Sequence, residues 1–476
     1  MGSCRFPIAS LPVPYLLLTY PVVACTRFVL FSALSFPTFL MVNNNDNDDN
    51  DNIDNQYHWC PSVITINIII HKTAANSLVG TIPDELGCVT ELQFINLRAN
   101  RLGGTIPPKF DRLTKLTHLA VPYNDITAIP DFVGSLSMLD TLIMSNNNLS
   151  GVVPNGITTL TKLEVLALDD NALTGGIRLL SALTNLVSLY LEDNSFEDTL
   201  DATFLTSLSN LENLDLSDNK LDGVVPGHFF DPARFPLLYV LDLHGNELTS
   251  LPSTFPPGSA MAYLALHQNA LGGTLSPSVS NLNNLAYLDL TNNQLTGPIP
   301  GDEIGSLSAL TYLFLGSNNF TRGEIPYGFR NLGNLEDLSL KQTQRTGVIP
   351  TWFGLLHNMV LLDLDNNELV GALPLALANM RDLRYLQVSR NKLTGSIPQE
   401  DFGIFARLRK SLVHLEFRAR HFRYWQSRFS FSGYRHRCGI LTEAIEHSQG
   451  CDSPFVVVVV VLSFLLSFLL AFVFLL

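Results

Sequence analysis

The sequence predicts an α/β solenoid: stacked coils with a parallel β-sheet along a concave face and short 3-10 or irregular segments on the convex side. Three observations predict it. A sixteen-residue phrase, Leu-x-x-Leu-x-Leu-x-x-Asn-x-Leu-x-Gly-x-Ile-Pro, recurs thirteen times between Leu92 and Pro398. Its first positions fall at 92, 116, 139, 163, 186, 211, 238, 261, 285, 310, 335, 359 and 383, a period of about 24 residues. Each copy alternates its central leucines as a strand does, then closes on glycine and Ile-Pro, which disfavour a regular helix on the outer wall. Thirteen phased copies do not arise by chance.

Each position in the phrase has a physical task. In Leu-x-Leu the two leucines share one face of an extended segment, so the x residues face outward. The Asn that follows (Asn100, Asn171, Asn219, Asn293 and Asn391 among them) sits where each coil must turn inside the stack. Backbone groups buried there need partners, and an Asn side chain offers one acceptor and two donors. No coil can bury its leucines alone, but stacked coils share a continuous core. Together these features define a leucine-rich-repeat solenoid, here spanning residues 92–404.

The Gly-x-Ile-Pro ending and 24-residue length resemble the plant-type leucine-rich repeat, whose members include cell-surface receptor-like proteins, receptor kinases and secreted enzyme inhibitors. Some copies depart from the pattern. Residues 335–350 carry Thr343 in place of Asn and Arg345 in place of Leu; 186–200 lack Gly-x-Ile-Pro, and 238–252 end in Ser-Leu-Pro. Local irregularity is expected there, without a break in the stack. His58-Trp59-Cys60 resembles the Trp-Cys element that precedes plant-type repeats, so residues 56–91 read as an atypical N-terminal cap. The second half of a repeat is legible in it from Asn76 to Pro83, while VITINIII before it loses the leucine register.

Both ends of the chain differ from the middle. Residues 1–42 are apolar, with only Arg5 and Arg27 charged, and read as a signal peptide or an N-terminal membrane anchor. Cleavage after Ala24 and cleavage near Ser35 are both open. Residues 43–55 form an Asn/Asp-rich linker. A calcium loop starting at Asp46 fails on spacing, because Asp51 stands where Gly belongs and Tyr57 where Glu belongs. Residues 405–454 form a basic, aromatic cap or juxtamembrane segment; 405–437 hold nine Lys and Arg against Glu416 alone, a composition that also suits anionic lipid. Residues 455–476 are 22 uncharged residues, long enough for a transmembrane helix and also readable as a lipid-anchor signal. The basic run favours a cytosolic side for that junction, whereas an N-terminal signal puts the repeats outside. We expect a membrane-anchored cell-surface protein with extracellular repeats; cytosolic repeats on a tail anchor are the alternative.

Six cysteines stand at 4, 25, 60, 88, 438 and 451, and the last four flank the repeats, two on each side, where a solenoid must cover its core ends. Disulfides Cys60–Cys88 and Cys438–Cys451 are expected, with reduced thiols as the alternative. No Cys-x-x-Cys occurs, so no metal is expected. Net charge is −14, which disfavours nucleic acid. Asn148-Leu-Ser150 and Asn319-Phe-Thr321 are glycosylation sequons.

Phosphate-cradling, nucleophile-elbow and zinc-protease motifs are all missing, and neither catalysis nor a cofactor is expected. The outward positions of the strands hold the candidate ligand surface. Before the second leucine stand Tyr263, Tyr287 and Tyr312 in consecutive coils, then Tyr385. Between the leucines come Asp215, Asp242, Asp289 and Asp363; after the third come Asp169, Glu192, His244 and His267. Tyrosine suits a binding surface, and the acidic group favours a basic ligand such as a cationic peptide. The two histidines read as ordinary surface residues. The resemblance implies a non-enzymatic recognition protein for a peptide, protein or glycan, acting through a kinase-bearing co-receptor; a structural or adhesive protein, or an inhibitor of foreign hydrolases, is the alternative.

Overall fold

The computed structural model describes residues 77–395, together with the backbone of 28–31 and 39–42. In every copy the residues around the second leucine form a three-residue strand, from Phe94–Asn96 in coil one to Tyr385–Gln387 in coil thirteen. These strands pair in parallel, each with the next in the chain, as a single sheet of thirteen. Register carries each residue onto its counterpart: Leu166 lies beside Leu189, and Leu214 beside Leu241. The alternation explains the burial. Leu166, Leu189, Leu214 and Leu241 are wholly inside, in one apolar core that runs from Ile82 to Leu383.

On the opposite side, short 3-10 helices follow proline. Pro107 precedes Pro108–Arg112, Pro154 precedes Asn155–Thr159, and Pro350 precedes Thr351–Leu355. The pyrrolidine ring fixes φ as the chain enters each helix. Each helix then sends one large side chain inward: Phe110, Ile157 and Phe353. A single α-helical turn, Gly301–Ile304, replaces the 3-10 helix of coil nine.

The turn between these walls carries the stack. Asn124 shows its chemistry. Its Nδ2 donates to the carbonyls of Val121 at 3.0 Å and Pro122 at 3.2 Å in its own coil, and to Leu97 of the preceding coil at 2.9 Å. Its Oδ1 accepts from the Leu102 N–H of that preceding coil at 3.0 Å. Asn171, Asn219, Asn293 and Asn391 repeat the same pattern. One side chain thus satisfies the turn of its own coil and locks it to its neighbour. The residue just before it lies in the left-handed region throughout, with φ of 52° at Asn146 and Asp170 and 49° at Asp218. Asn and Asp enter that region more readily than other side-chain-bearing residues. Gly245 holds this place in coil seven, where a Cβ would lie 2.0 Å from Asp218 Oδ1.

The divergent copies stay in the stack. Asp337–Ser339 of coil eleven pairs normally on both sides. Thr343 donates its hydroxyl to the Leu340 carbonyl at 2.6 Å, one of the four bonds that Asn makes elsewhere. Arg345 is 3% exposed, and its guanidinium donates to the carbonyls of Thr343, Glu324 and Thr321. Burial lowers its pKa to about 10. In the copy lacking Gly-x-Ile-Pro, Arg178 of the preceding coil reaches across to Asp198 at 2.9 Å and Asp201 at 2.8 Å, holding the irregular edge.

Of the cap, Val79–Thr81 lies beside Arg101–Gly104 as half a coil. Cys88 is half-buried at the end of the 3-10 helix Asp84–Cys88, while Cys60, Cys438 and Cys451 lie outside the described residues. So do the acidic linker, the basic stretch and the 455–476 segment. Phe28–Phe31 and Phe39–Val42, inside the N-terminal apolar region, pair antiparallel. Among the described residues no helix is long and apolar enough to cross a membrane.

The ladder is open to test. Asn219 is buried and makes four such bonds, so Asn219→Ala strands carbonyls and an N–H in two coils. Chemical denaturation should show a loss of about 3 kcal/mol, and Asn219→Asp should fare no better because it lacks the donors. Wild-type stability in both variants would show that the ladder contributes nothing.

Candidate functional site

The concave face is built from the outward positions of the thirteen strands, spaced about 4.8 Å from coil to coil. The registers Tyr263 beside Tyr287 and Tyr287 beside Tyr312 align the tyrosines in one row. Such close spacing makes neighbouring rings pack on one another. Tyr263 and Tyr287 stack at 4.3 Å between centroids, and Tyr287 meets Phe314 edge-on at 5.9 Å. Tyr287 is consequently 7% exposed, while Tyr263, Tyr312 and Tyr385 remain half-buried around an apolar cluster with Ala265, Phe314 and Leu361. The hydroxyls are held by acids: Tyr312 donates to Glu336 at 3.1 Å, and Tyr263 and Tyr287 lie 3.5 Å from Asp242 and Asp289. Tyr385 sits three coils beyond Tyr312, against the far side of the same cluster.

The acids form the adjoining part of the face. Asp169 is 1% exposed and accepts from Ser145; Asp215 accepts from Ser217 at 2.6 Å. Burial, and then the charge of Asp242, push the Asp215 carboxyl up to about 7. Burial, with Asp169 and Asp215 nearby, likewise drives Glu192 well above the usual range. Asp242 goes the other way: burial opposes its ionisation, but His244 and His267 outweigh it and lower its pKa. Asp363, five coils further on, is raised by burial while bonded to Ser339 at 3.2 Å.

His244 is not an ordinary surface residue. Its Nδ1 lies 2.7 Å from Asp242 and its Nε2 3.2 Å from Asp218, and its ring stacks on His267 at 4.2 Å. Burial disfavours its charge, yet the two carboxylates prevail and raise its pKa to about 11. His267 faces Asp289 at 3.4 Å. The coil register is the sequence signal for this pairing: the histidines share one position in consecutive coils, with acids in the flanking rows. Among the described residues no cluster of His, Cys, Asp or Glu is suited to a metal ion. Asn148 and Asn319 are both exposed, away from this face.

These features define a class, a leucine-rich-repeat solenoid, whose repeats are similar to the plant type. Residues 73–257 match the family described as leucine-rich repeat region, and 236–295 match leucine rich repeat. Its repeats are similar to those of receptor-like proteins. Receptor-like protein 39 of Arabidopsis thaliana is 39% identical over 121 residues, covering 24% of this chain and 14% of that protein. Receptor-like protein 41 of the same plant is 40% identical over 101 residues, covering 21% and 11%. The chain therefore matches under a sixth of the length of these relatives. Among solved structures, the plant peptide hormone receptor RGFR1 in complex with RGF2 aligns at a TM-score of 0.60 and 31% identity, over 70% of this chain and 58% of that one. The Arabidopsis receptor kinase HAESA, in complex with the peptide hormone IDA and the co-receptor SERK1, aligns at 0.55 and 29% identity, over 68% and 62%.

The raised pKa of Asp215 has a measurable consequence. Between about pH 4 and pH 7 the folded chain holds a proton that the unfolded chain has released, so stability falls as pH rises through that window. Asp215→Asn should flatten the fall and leave the protein more stable near pH 8, by about 2 kcal/mol. An unchanged pH profile, measured by denaturation at each pH, would contradict this.

Proposed function

We propose that this chain is a non-enzymatic recognition protein of the cell surface, whose concave face binds a peptide or protein of net positive charge. The supporting observation is that the outward positions of coils four to nine carry Asp169, Glu192, Asp215, Asp242 and Asp289 but no Lys or Arg. A negative trough attracts cationic partners and repels anionic ones. Beside it, the cluster around Tyr312 and Tyr385 supplies apolar surface with polar tips. The similarity to receptors solved with peptide hormones supports the same reading, and the HAESA complex supports a second chain as signalling partner.

In this reading the repeats are extracellular, the chain is anchored in the membrane, and a kinase-bearing co-receptor carries the signal. Cys60–Cys88 and Cys438–Cys451 close the two ends, and Asn148 and Asn319 carry glycans. Binding, not bond-making, is the output.

Random peptides displayed on phage and selected on the full-length protein should enrich sequences of net positive charge. Replacing Tyr312 and Tyr385 together by Ala should weaken the enriched peptides by about tenfold or more, with the fold retained by circular dichroism despite a modest loss of stability. No enrichment, or undiminished affinity in the folded variant, would overturn the reading of this surface. Protease treatment of intact cells should remove the repeats; their protection would overturn the extracellular topology.

A further inference from the structure

We infer that the convex face of coils ten to twelve rests on the surface of a lipid bilayer, with Tyr327, Trp352, Leu355 and Leu375 set among its headgroups and outermost methylenes. The inference rests on the membrane-anchored reading above and gives the solenoid a fixed orientation on that membrane.

The residues stand on short helices of the outer wall. Tyr327–Asn331, Thr351–Leu355 and Leu375–Asn379 follow Pro326, Pro350 and Pro374 in consecutive coils. Each turns one large side chain into the core: Phe329, Phe353 and Leu377. Other apolar residues of the same helices are left outside, with Tyr327 and Leu355 each 60% exposed and Leu375 58% exposed. Among the described residues no other 3-10 helix carries an exposed large apolar side chain. Trp352 is half-buried and lies against Phe353, at 4.4 Å between ring centroids. Coils eleven and twelve close up at Gly354, where a Cβ would lie 2.5 Å from the Ala376 carbonyl oxygen. The exposed side chains thus occupy adjoining coils on one wall.

Charge suits the same partner. The three helices carry Arg330 and no acid, in a chain of net charge −14. The helical turn just before them, Gly301–Ile304, holds Asp302 and Glu303. Lipid phosphates repel carboxylates and attract a guanidinium. Arg330 lies over the Tyr327 ring, 3.9 Å from its centroid. Tyrosine and tryptophan, each an apolar body with a polar tip, gather where acyl chains meet headgroups.

The path of the chain selects a bilayer over other occupants. Residues 396–454 join this end of the solenoid to the 22 uncharged residues of 455–476. With that segment in the membrane, the last coils are the nearest to it along the chain. Exposed apolar side chains held beside a bilayer gain by entering its interface, and the gain scales with the apolar area covered.

The full-length protein carrying Trp59→Phe and Trp425→Phe keeps Trp352 as its single tryptophan. Reconstituted into phosphatidylcholine vesicles whose acyl chains bear bromine, a quencher of tryptophan, it should lose most of its emission. Adding Leu355→Ser and Leu375→Ser, both at exposed positions, should restore the emission while circular dichroism shows the fold retained. As a control, Trp352→Phe with Met138→Trp moves the probe to an exposed site near the other end of the repeats, where it should stay bright. Protein that floats with the vesicles yet keeps Trp352 bright would overturn the docking and leave the anchor standing. Equal quenching at both sites, or quenching indifferent to the two serines, would do the same. Dimers in detergent that the two serines dissociate would assign the patch to a second copy and also overturn the docking. Protein that fails to float with the vesicles would overturn both readings.

Discussion

A single side-chain amide, repeated once per coil, is the interaction on which the structure depends. Each coil must reverse direction inside a stack that excludes water, and the backbone groups of that turn cannot reach solvent. Asn124, Asn171, Asn219 and their equivalents satisfy those groups within the coil and across to the preceding one. The leucines supply the bulk of the apolar driving force, but they would accept many offsets between coils. A hydrogen-bond ladder accepts one. Coil eleven shows the tolerance of the scheme: a threonine and a buried arginine take up part of the work, and the sheet continues.

Fixing that offset has a consequence on the other wall. Because every strand sits in the same register, residues of one type at one position line up as rows about 4.8 Å apart. Such spacing makes neighbouring side chains interact whether or not a ligand is present. Tyrosines stack, histidines stack, and carboxylates repel one another until some are bonded or protonated. The acidic group is thereby split: Asp242 is held ionised by His244, whereas Asp215 and Glu192 are pushed toward the neutral form. The electrostatics of this face are thus uneven along the solenoid, with the raised carboxylates in coils five and six and the ionised Asp242 in coil seven.

Much of this was legible in the sequence. The period, the strand positions, the task of Asn and the proline-led outer wall follow from residue types with one permitted geometry each. The rows of Tyr263, Tyr287 and Tyr312 and of the acids could also be written down from the register. Hidden was what happens within a row. Nothing in the one-dimensional pattern reveals that Tyr287 is nearly covered by its neighbours, or that His244 is clamped between Asp218 and Asp242. Those are effects of side-chain rotamers and local burial, set by three coils at once. The left-handed turn before each ladder Asn was half visible, since Asn or Asp fills it in coils three to six but Tyr123 and Arg390 occupy it elsewhere.

Amide hydrogen exchange on the intact protein tests the central account most directly. The N–H groups of Leu102, Leu149, Leu173, Phe196, Leu221 and Leu271 point at Asn side chains of the following coil, outside the main sheet. If the ladder fixes the stack, these amides exchange as slowly as those of the concave strands. Exchange as fast as in the exposed outer turns would mean that the leucines alone hold the coils, and that the register of the concave face is not set by asparagine.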